Sequence, residues 1–175
     1  ISIGAATGIN LTRTDSTMSP GVYRLTTGVA LGMEMPPDAL FVQFYNNFAP
    51  FGTTAAPGAI DAATYTIDAT QASFETCGVC IILSPDFANG MGSADYMPSG
   101  GTITITDIDP TVGGTYSLTM ANLTFREVTI DSASGATTNV PGGCTVTLTD
   151  GSMSGTIAAP MAKAAPGLFT ARTKN

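Results

Sequence analysis

Along most of this chain apolar and polar residues alternate with a period of two, the spacing that turns one face of a strand to a core and the other to water. Val22 to Leu25 follows the turn signal Pro20-Gly21, and Leu40, Val42 and Phe44 share one face of the segment Leu40 to Tyr45. Tyr65 and Ile67 alternate with Thr64, Thr66 and Asp68. Ile103 and Ile105 alternate with Thr102, Thr104 and Thr106, and Thr145, Thr147 and Thr149 repeat that pattern around Val146 and Leu148. Val79 to Leu83 is apolar throughout, which predicts a central strand covered on both faces. Ile1 to Leu11 carries Ile1, Ile3, Ile9 and Leu11 among small residues and is apolar enough for one more strand.

Thr115 to Ile130 changes phase twice. Tyr116, Leu118 and Met120 share one register, Leu123 and Phe125 another, and Val128 and Ile130 return to the first. Bulges near Ala121 and near Arg126-Glu127 are the expected cause, with a short break between two strands as the alternative. Asp109-Pro110, Gly113-Gly114, Pro141-Gly142-Gly143 and Asp150-Gly151 mark turns. Residues 46–63 read as a long loop, and a helical turn around Pro85 to Asn89 is the most that helical periodicity supports. These signals predict an all-β single domain, an antiparallel β-sandwich or jelly-roll-like barrel. Its parts are an N-terminal strand region (1–33), a core (34–157) and an Ala- and Pro-rich tail (158–175).

Composition narrows the class further. Charged residues make up 11% of the chain against 43% hydrophobic, so disorder, which needs high charge and low hydrophobicity, is excluded. The polar positions are filled by Thr and Ser rather than Lys and Glu. No apolar run approaches the ~20 residues of a transmembrane helix. The net charge of −7 is uneven: residues 34–150 hold twelve acids against Arg126 alone, whereas Lys163, Arg172 and Lys174 leave the tail basic. An acidic body lacks the clustered cations that phosphate binding requires, so nucleic acid is not an expected partner. The chain opens at Ile1 without Met, which reads as a mature N-terminus left after removal of an export signal.

Cys77, Cys80 and Cys144 are the cysteines, and an exported chain would oxidise two of them. In a regular strand Cys77 and Cys80 face opposite sides, and one of them would pair with Cys144. If Cys77-Gly78-Val79-Cys80 is a turn, the two bridge locally.

Three segments carry a resemblance: Phe74-Glu75-Thr76-Cys77-Gly78-Val79-Cys80-Ile81-Ile82-Leu83, Ser99-Gly100-Gly101-Thr102-Ile103-Thr104-Ile105, and Leu123 to Asp131 followed by Val140-Pro141-Gly142-Gly143-Cys144. Over residues 35–155 the chain resembles a poorly characterised family of exported, Cys-x-x-Cys-containing β-proteins of myxobacteria and related deltaproteobacteria. The resemblance implies export and β-structure but no activity. Family members often have further cysteines after the apolar strand, whereas Pro85 to Tyr96 has none, so the family's disulfide scheme does not carry over whole.

The chain contains no His, which removes Ser-His-Asp and Cys-His catalysis and His-containing metal sites. Cys-x-x-Cys lacks the βαβ context of a redox motif and the further ligands of a zinc site. Asp95, Asp107 and Asp109 are the candidate calcium ligands, although Asp107-Ile108-Asp109-Pro110 is more simply a turn. Without Trp, the walls of a glycosidase cleft are hard to build. Thr102, Thr104 and Thr106 would join Thr145, Thr147 and Thr149 in a flat face similar to that of ice-binding proteins if their strands lie together; exposed Thr is also common in strands for its shape alone. Asn10-Leu11-Thr12 and Asn122-Leu123-Thr124 match the glycosylation sequon. These features predict no cofactor, no enzyme, and a structural subunit of an extracellular or cell-surface assembly such as a filament. It would associate with itself through sheet edges and through Ile1, Ile3, Ile9, Leu11, Lys163, Leu168, Phe169, Arg172 and Lys174. The alternative is a monomeric secreted module that binds a glycan, calcium or another surface ligand.

Overall fold

The alternating segments become strands in a computed structural model that describes residues 2–33 and 35–160. They are β1 (Ser2–Thr7), β2 (Leu11–Asp15), β3 (Tyr23–Leu31), β4 (Asp38–Tyr45), β5 (Thr64–Thr66), β6 (Val79–Ser84), β7 (Asp95–Pro98), β8 (Thr102–Ile108), β9 (Thr115–Ile130), β10 (Thr137–Asn139) and β11 (Thr145–Ala158). Among the described residues there is no helix. The segment Pro85 to Asn89 forms turns, closed by a tight Ala88–Met91 bridge.

All the strands belong to one sheet. Following its ladders from β11 through β2, β3, β4, β6, β7 and β9 leads back to β11, so these strands close a ring. β1 lies along β11, β8 and β5 extend one side of β9, and β10 continues the other. The fold is an all-β single domain of barrel-like sandwich form. One feature departs from the antiparallel sheet expected: β1 and the start of β2 run parallel to β11. Parity accounts for the β2 ladder. An antiparallel ring needs an even number of strands, this one has an odd number, and the parallel β11–β2 ladder is where it closes.

Two apolar clusters hold the sheet. The larger lies inside the ring and includes Leu11, Leu25, Phe44, Ile81, Ile103, Leu118 and Phe125. The smaller lies on the opposite face of β4, β6, β7 and the end of β9. Phe41, Cys80, Ile82, Met97, Val128 and Ile130 form it, with Phe74, Cys77 and Phe87 contributed by the loops before and after β6. The uninterrupted apolar run of β6 follows from this: Val79, Ile81 and Leu83 point into the ring, Cys80 and Ile82 into the outer cluster. A fully buried aliphatic side chain contributes roughly 1.5–3 kcal/mol relative to exposure, so β6 draws on both clusters.

The phase changes in β9 have causes other than the expected bulges. At the second, the alternation of the backbone is unbroken. Phe125 faces the ring and Val128 the outer cluster, so the buried face changes while the strand stays regular. The first is a true change of face at Asn122, whose φ of 54° is left-handed. Pairing with β11 keeps one register across this level, from Thr145↔Arg126 to Thr156↔Thr115. β11 therefore changes face with β9, Leu148 and Met153 both reaching the inner core. On the other side β7 and β8 share one register against β9 but are separated by residues 99–101. Three neighbouring strands thus turn over along one line, which makes a corner of the sheet. Gly101 is required there: its φ is 107°, and a Cβ would sit 2.5 Å from the Asn122 carbonyl oxygen. Asp150-Gly151, expected to be a turn, lies inside β11 at this same corner.

Candidate assembly surfaces

Cys77 and Cys80 form a disulfide with 5.3 Å between their Cα atoms, and Cys144 is free and exposed. Of the two pairings open from sequence, the local one is correct because β6 begins only at Val79, leaving Cys77 in the preceding loop. The bridge is fully buried in the outer cluster and ties that loop to the sheet. Gln71 secures the same loop, its amide donating to the Ala49 carbonyl and accepting from the Val79 N–H. Such a bond persists in oxidising compartments.

The long loop 46–63 hangs on Asn46, which is buried at 1% exposure. Its Oδ1 accepts the Tyr23 N–H at 2.8 Å, and its Nδ2 donates to the carbonyls of Gly21 (2.8 Å) and Gly58 (3.1 Å). One side chain thereby satisfies polar groups from two loops that converge on β3 and β4.

Of the expected assembly residues, two serve the protein's own core. Leu11 is fully buried inside the ring, and Ile9 packs against the same cluster. The segment that carries them is seated closely. The Tyr116 hydroxyl donates to the Ile9 carbonyl at 2.6 Å, the Ile9 N–H donates to the Ser154 carbonyl at 3.1 Å, and a Cβ on Gly155 would lie 2.0 Å from the Ile9 oxygen. Burial pushes the Tyr116 phenol well above its ordinary pKa, so it stays a donor. Ile3 lies on β1. Ile1, Lys163, Leu168, Phe169, Arg172 and Lys174 lie outside the described residues.

The calcium candidates are not brought together. Asp95 stands opposite Val128 and Asp107 opposite Ser117, near opposite ends of β9. Asp95 accepts from the Ser84 hydroxyl and Asp107 from the Thr115 hydroxyl. The Thr111 amide and hydroxyl hold the Asp109 carboxyl below its ordinary pKa, the signature of a capped turn. Among the described residues no group of three acidic, Cys or His side chains is placed to hold a metal ion.

Three surface features remain. The first is the outer edge of β1, which among the described residues pairs with β11 alone. Natural edges are blunted by charge, proline or shortness. β5 and β10 have three residues each, whereas β1 has six, Ser-Ile-Gly-Ala-Ala-Thr, without charge or proline and with a single irregularity between Ser2 and Ala5, where Gly4 has a φ of 55°. The second is a cleft of about 520 Å³ on the outer face of β2, β3 and β4, lined by Thr14, Arg24, Tyr45, Asn47 and Phe48 and rimmed by the 16–19 turn. A second cleft, of about 280 Å³ between Phe41, Phe87, Met91 and Asp95, is smaller.

The third is a face of hydroxyls. Thr102–Thr106 and Thr145–Thr149 do not adjoin, because β9 separates β8 from β11 and the corner intervenes. A different array forms instead. One row crosses five strands, Thr64, Thr104, Thr119, Ser152 and Ala5, each directly opposite the next. Beside it run Thr66, Thr102 and Ala121 on one flank, and Ser117, Ser154 and Thr7 on the other. Asp107 and Asp150 take two of its diagonal corners, opposite Ser117 and Ala121. The Thr and Ser of 115–121 and 152–156 were visible in the sequence, but only strand order aligns them.

Ring closure, a double-sided β6 and a capping N-terminal strand define a closed β-sheet protein. No family model, curated protein or solved structure matches the chain. No helix among the described residues is long and apolar enough to cross a membrane.

Proposed function

We propose that this protein is a non-enzymatic structural subunit, exported and assembled with copies of itself at the cell surface or outside the cell, and that the contact is the free edge of β1. The carrying observation is that edge: six uncharged residues, free of proline, at the end of the sheet order. Beyond the irregularity at Gly4, the regular stretch Ala5 to Thr7 presents N–H and C=O groups to a second strand, and pairing there supplies main-chain hydrogen bonds. The buried Cys77–Cys80 bridge and the resemblance of residues 35–155 to exported myxobacterial proteins support export. Deleting residues 1–12 is a poor test, because it removes Leu11 from the core. A charged edge tests the contact directly. Ala5 and Thr7 are exposed, so Ala5→Lys with Thr7→Lys should leave the fold intact and block pairing. Light scattering and negative-stain microscopy should find oligomers or filaments for the parent protein and monomers for the double variant. A parent that stays monodisperse at high concentration sinks the reading.

The cleft beside Arg24, Tyr45 and Phe48 favours a second reading, a monomeric module for a surface glycan. Its volume falls within the range of small-ligand sites, and it joins aromatic walls to hydroxyl and amide groups. Under this reading a glycan raises the melting temperature of monomeric protein, and a Phe48→Ala variant loses that shift. A glycan panel that leaves the melting temperature unmoved removes the reading.

A further inference from the structure

We propose a further activity: the hydroxyl face of β5, β8, β9, β11 and β1 binds ice. The face belongs to one copy of the chain, so the inference stands apart from edge pairing. Its register supplies the geometry. Neighbouring strands lie about 4.8 Å apart, and successive residues on one face of a strand about 6.7 Å apart. Residues placed directly opposite one another therefore form a two-dimensional net, and here the net points carry Thr64, Thr104, Thr119 and Ser152 in one row, with Ser117 and Ser154 beside it. Both repeats are close to the spacings of oxygen atoms on the prism faces of hexagonal ice. Each hydroxyl offers water one donor and two acceptor sites. Each Thr methyl between them orders the water it cannot bond.

The hydroxyls are also held in place. Thr64 and Thr104 share a hydrogen bond of 2.9 Å across their strands, and Thr106 bonds the Ser117 hydroxyl. Sheet twist of roughly 20–25° per strand limits flat contact to the middle strands, β8, β9 and β11.

The chemistry of the face disfavours other occupants. A protein partner would need a buried apolar or aromatic anchor, and the outward positions of these rows have none. A polyanion would need Lys or Arg, and they have none of those. A sugar platform would need an aromatic ring; Tyr65, the aromatic residue of β5, is opposite Ile103 and packs against the inner core instead. The carboxylates Asp107 and Asp150 take two diagonal corners of the net on β8 and β11, opposite Ser117 and Ala121, and leave its central row uncharged. The uncharged central row, Thr104, Thr119 and Ser152, presents hydroxyl and methyl groups that complement a lattice of water.

The test uses the intact chain, with a fluorophore on the exposed Cys144 thiol for one arm. Purified protein in a nanolitre osmometer should open a gap between melting and freezing and grow faceted crystals. The labelled protein should coat an ice hemisphere grown in its solution. Thr119→Tyr places a ring in the middle of the net, and Thr104→Tyr is an independent second obstruction. Each should abolish the gap and the coating while thermal unfolding stays within a few degrees of the parent. Thr147→Tyr, on β11 beyond the corner, should keep both. A parent with no gap and an unlabelled hemisphere overturns the proposal. So does a folded Thr119→Tyr or Thr104→Tyr variant that still coats ice, or a Thr147→Tyr variant that loses as much as they do.

Discussion

Replacing Gly155 by alanine is expected to loosen the whole N-terminal segment and to lower stability by about 2–4 kcal/mol. The added Cβ would lie 2.0 Å from the Ile9 carbonyl oxygen and 2.7 Å from its carbon, both backbone atoms that no rotamer change can clear. The segment must move away from β11. It then gives up the bond from the Tyr116 hydroxyl and the bond from the Ile9 N–H to Ser154, and it draws Leu11 out of the core. For a chain of this size the melting temperature should fall by roughly 6–12 °C. Trypsin cleavage after Arg13, one step beyond the seated segment, should accelerate. An unchanged melting temperature with unchanged cleavage would show that the contact at Gly155 is not structural.

Asn46→Ala is expected to cost a similar amount by a different route. It leaves the Tyr23 N–H without its acceptor and the Gly21 and Gly58 carbonyls without their donor, in a region where Asn46 itself is almost fully buried. A buried polar group stripped of its partner loses about 1–3 kcal/mol. Partial relaxation of the two loops would leave a total of about 3–4 kcal/mol. Chemical denaturation reads the loss as a lower midpoint at constant slope. Asn46→Asp is the informative comparison. It keeps the acceptor for Tyr23 and, while protonated, one O–H donor for a carbonyl; ionised it has no donor, so it should retain part of the stability at a pH where the carboxyl is neutral and little where it is charged. If Asn46→Ala unfolds at the parent's midpoint, the loop is held by something other than this side chain.

Strand existence was legible wherever alternation was clean. Leu40 to Tyr45, Thr102 to Thr106 and Val79 to Leu83 all became strands, and the unbroken apolar run of the last correctly implied cover on both faces. β7 and β10 gave no usable signal, being three or four residues long and held mainly by their ladders to β9. The phase changes in β9 were visible but ambiguous. A sequence records that the apolar register shifts, and a bulge, a sheet corner and a change of buried face all leave that mark. Asn122 was the one local clue, since Asn tolerates a left-handed backbone better than most residues. Two of the assembly candidates, Ile9 and Leu11, proved to pack in the protein's own core for a related reason. Ile9 and Leu11 are apolar and terminal, and sequence alone does not say whether such a segment completes its own core or that of a neighbour. Gly155 acts through a partner more than a hundred positions away along the chain, and Asn46 through partners 12 to 25 positions away, distances at which periodicity carries no information.

The double service of β9 has a mechanical consequence. Phe125 enters one cluster and Val128, three positions later, enters the other, both on a single rigid strand. The loops that cover the outer cluster are therefore not a lid that opens at leisure: displacing them tugs on the backbone that also frames the interior. Inner and outer layers rise and fall together, so a protein with two hydrophobic centres behaves under stress as though it had one.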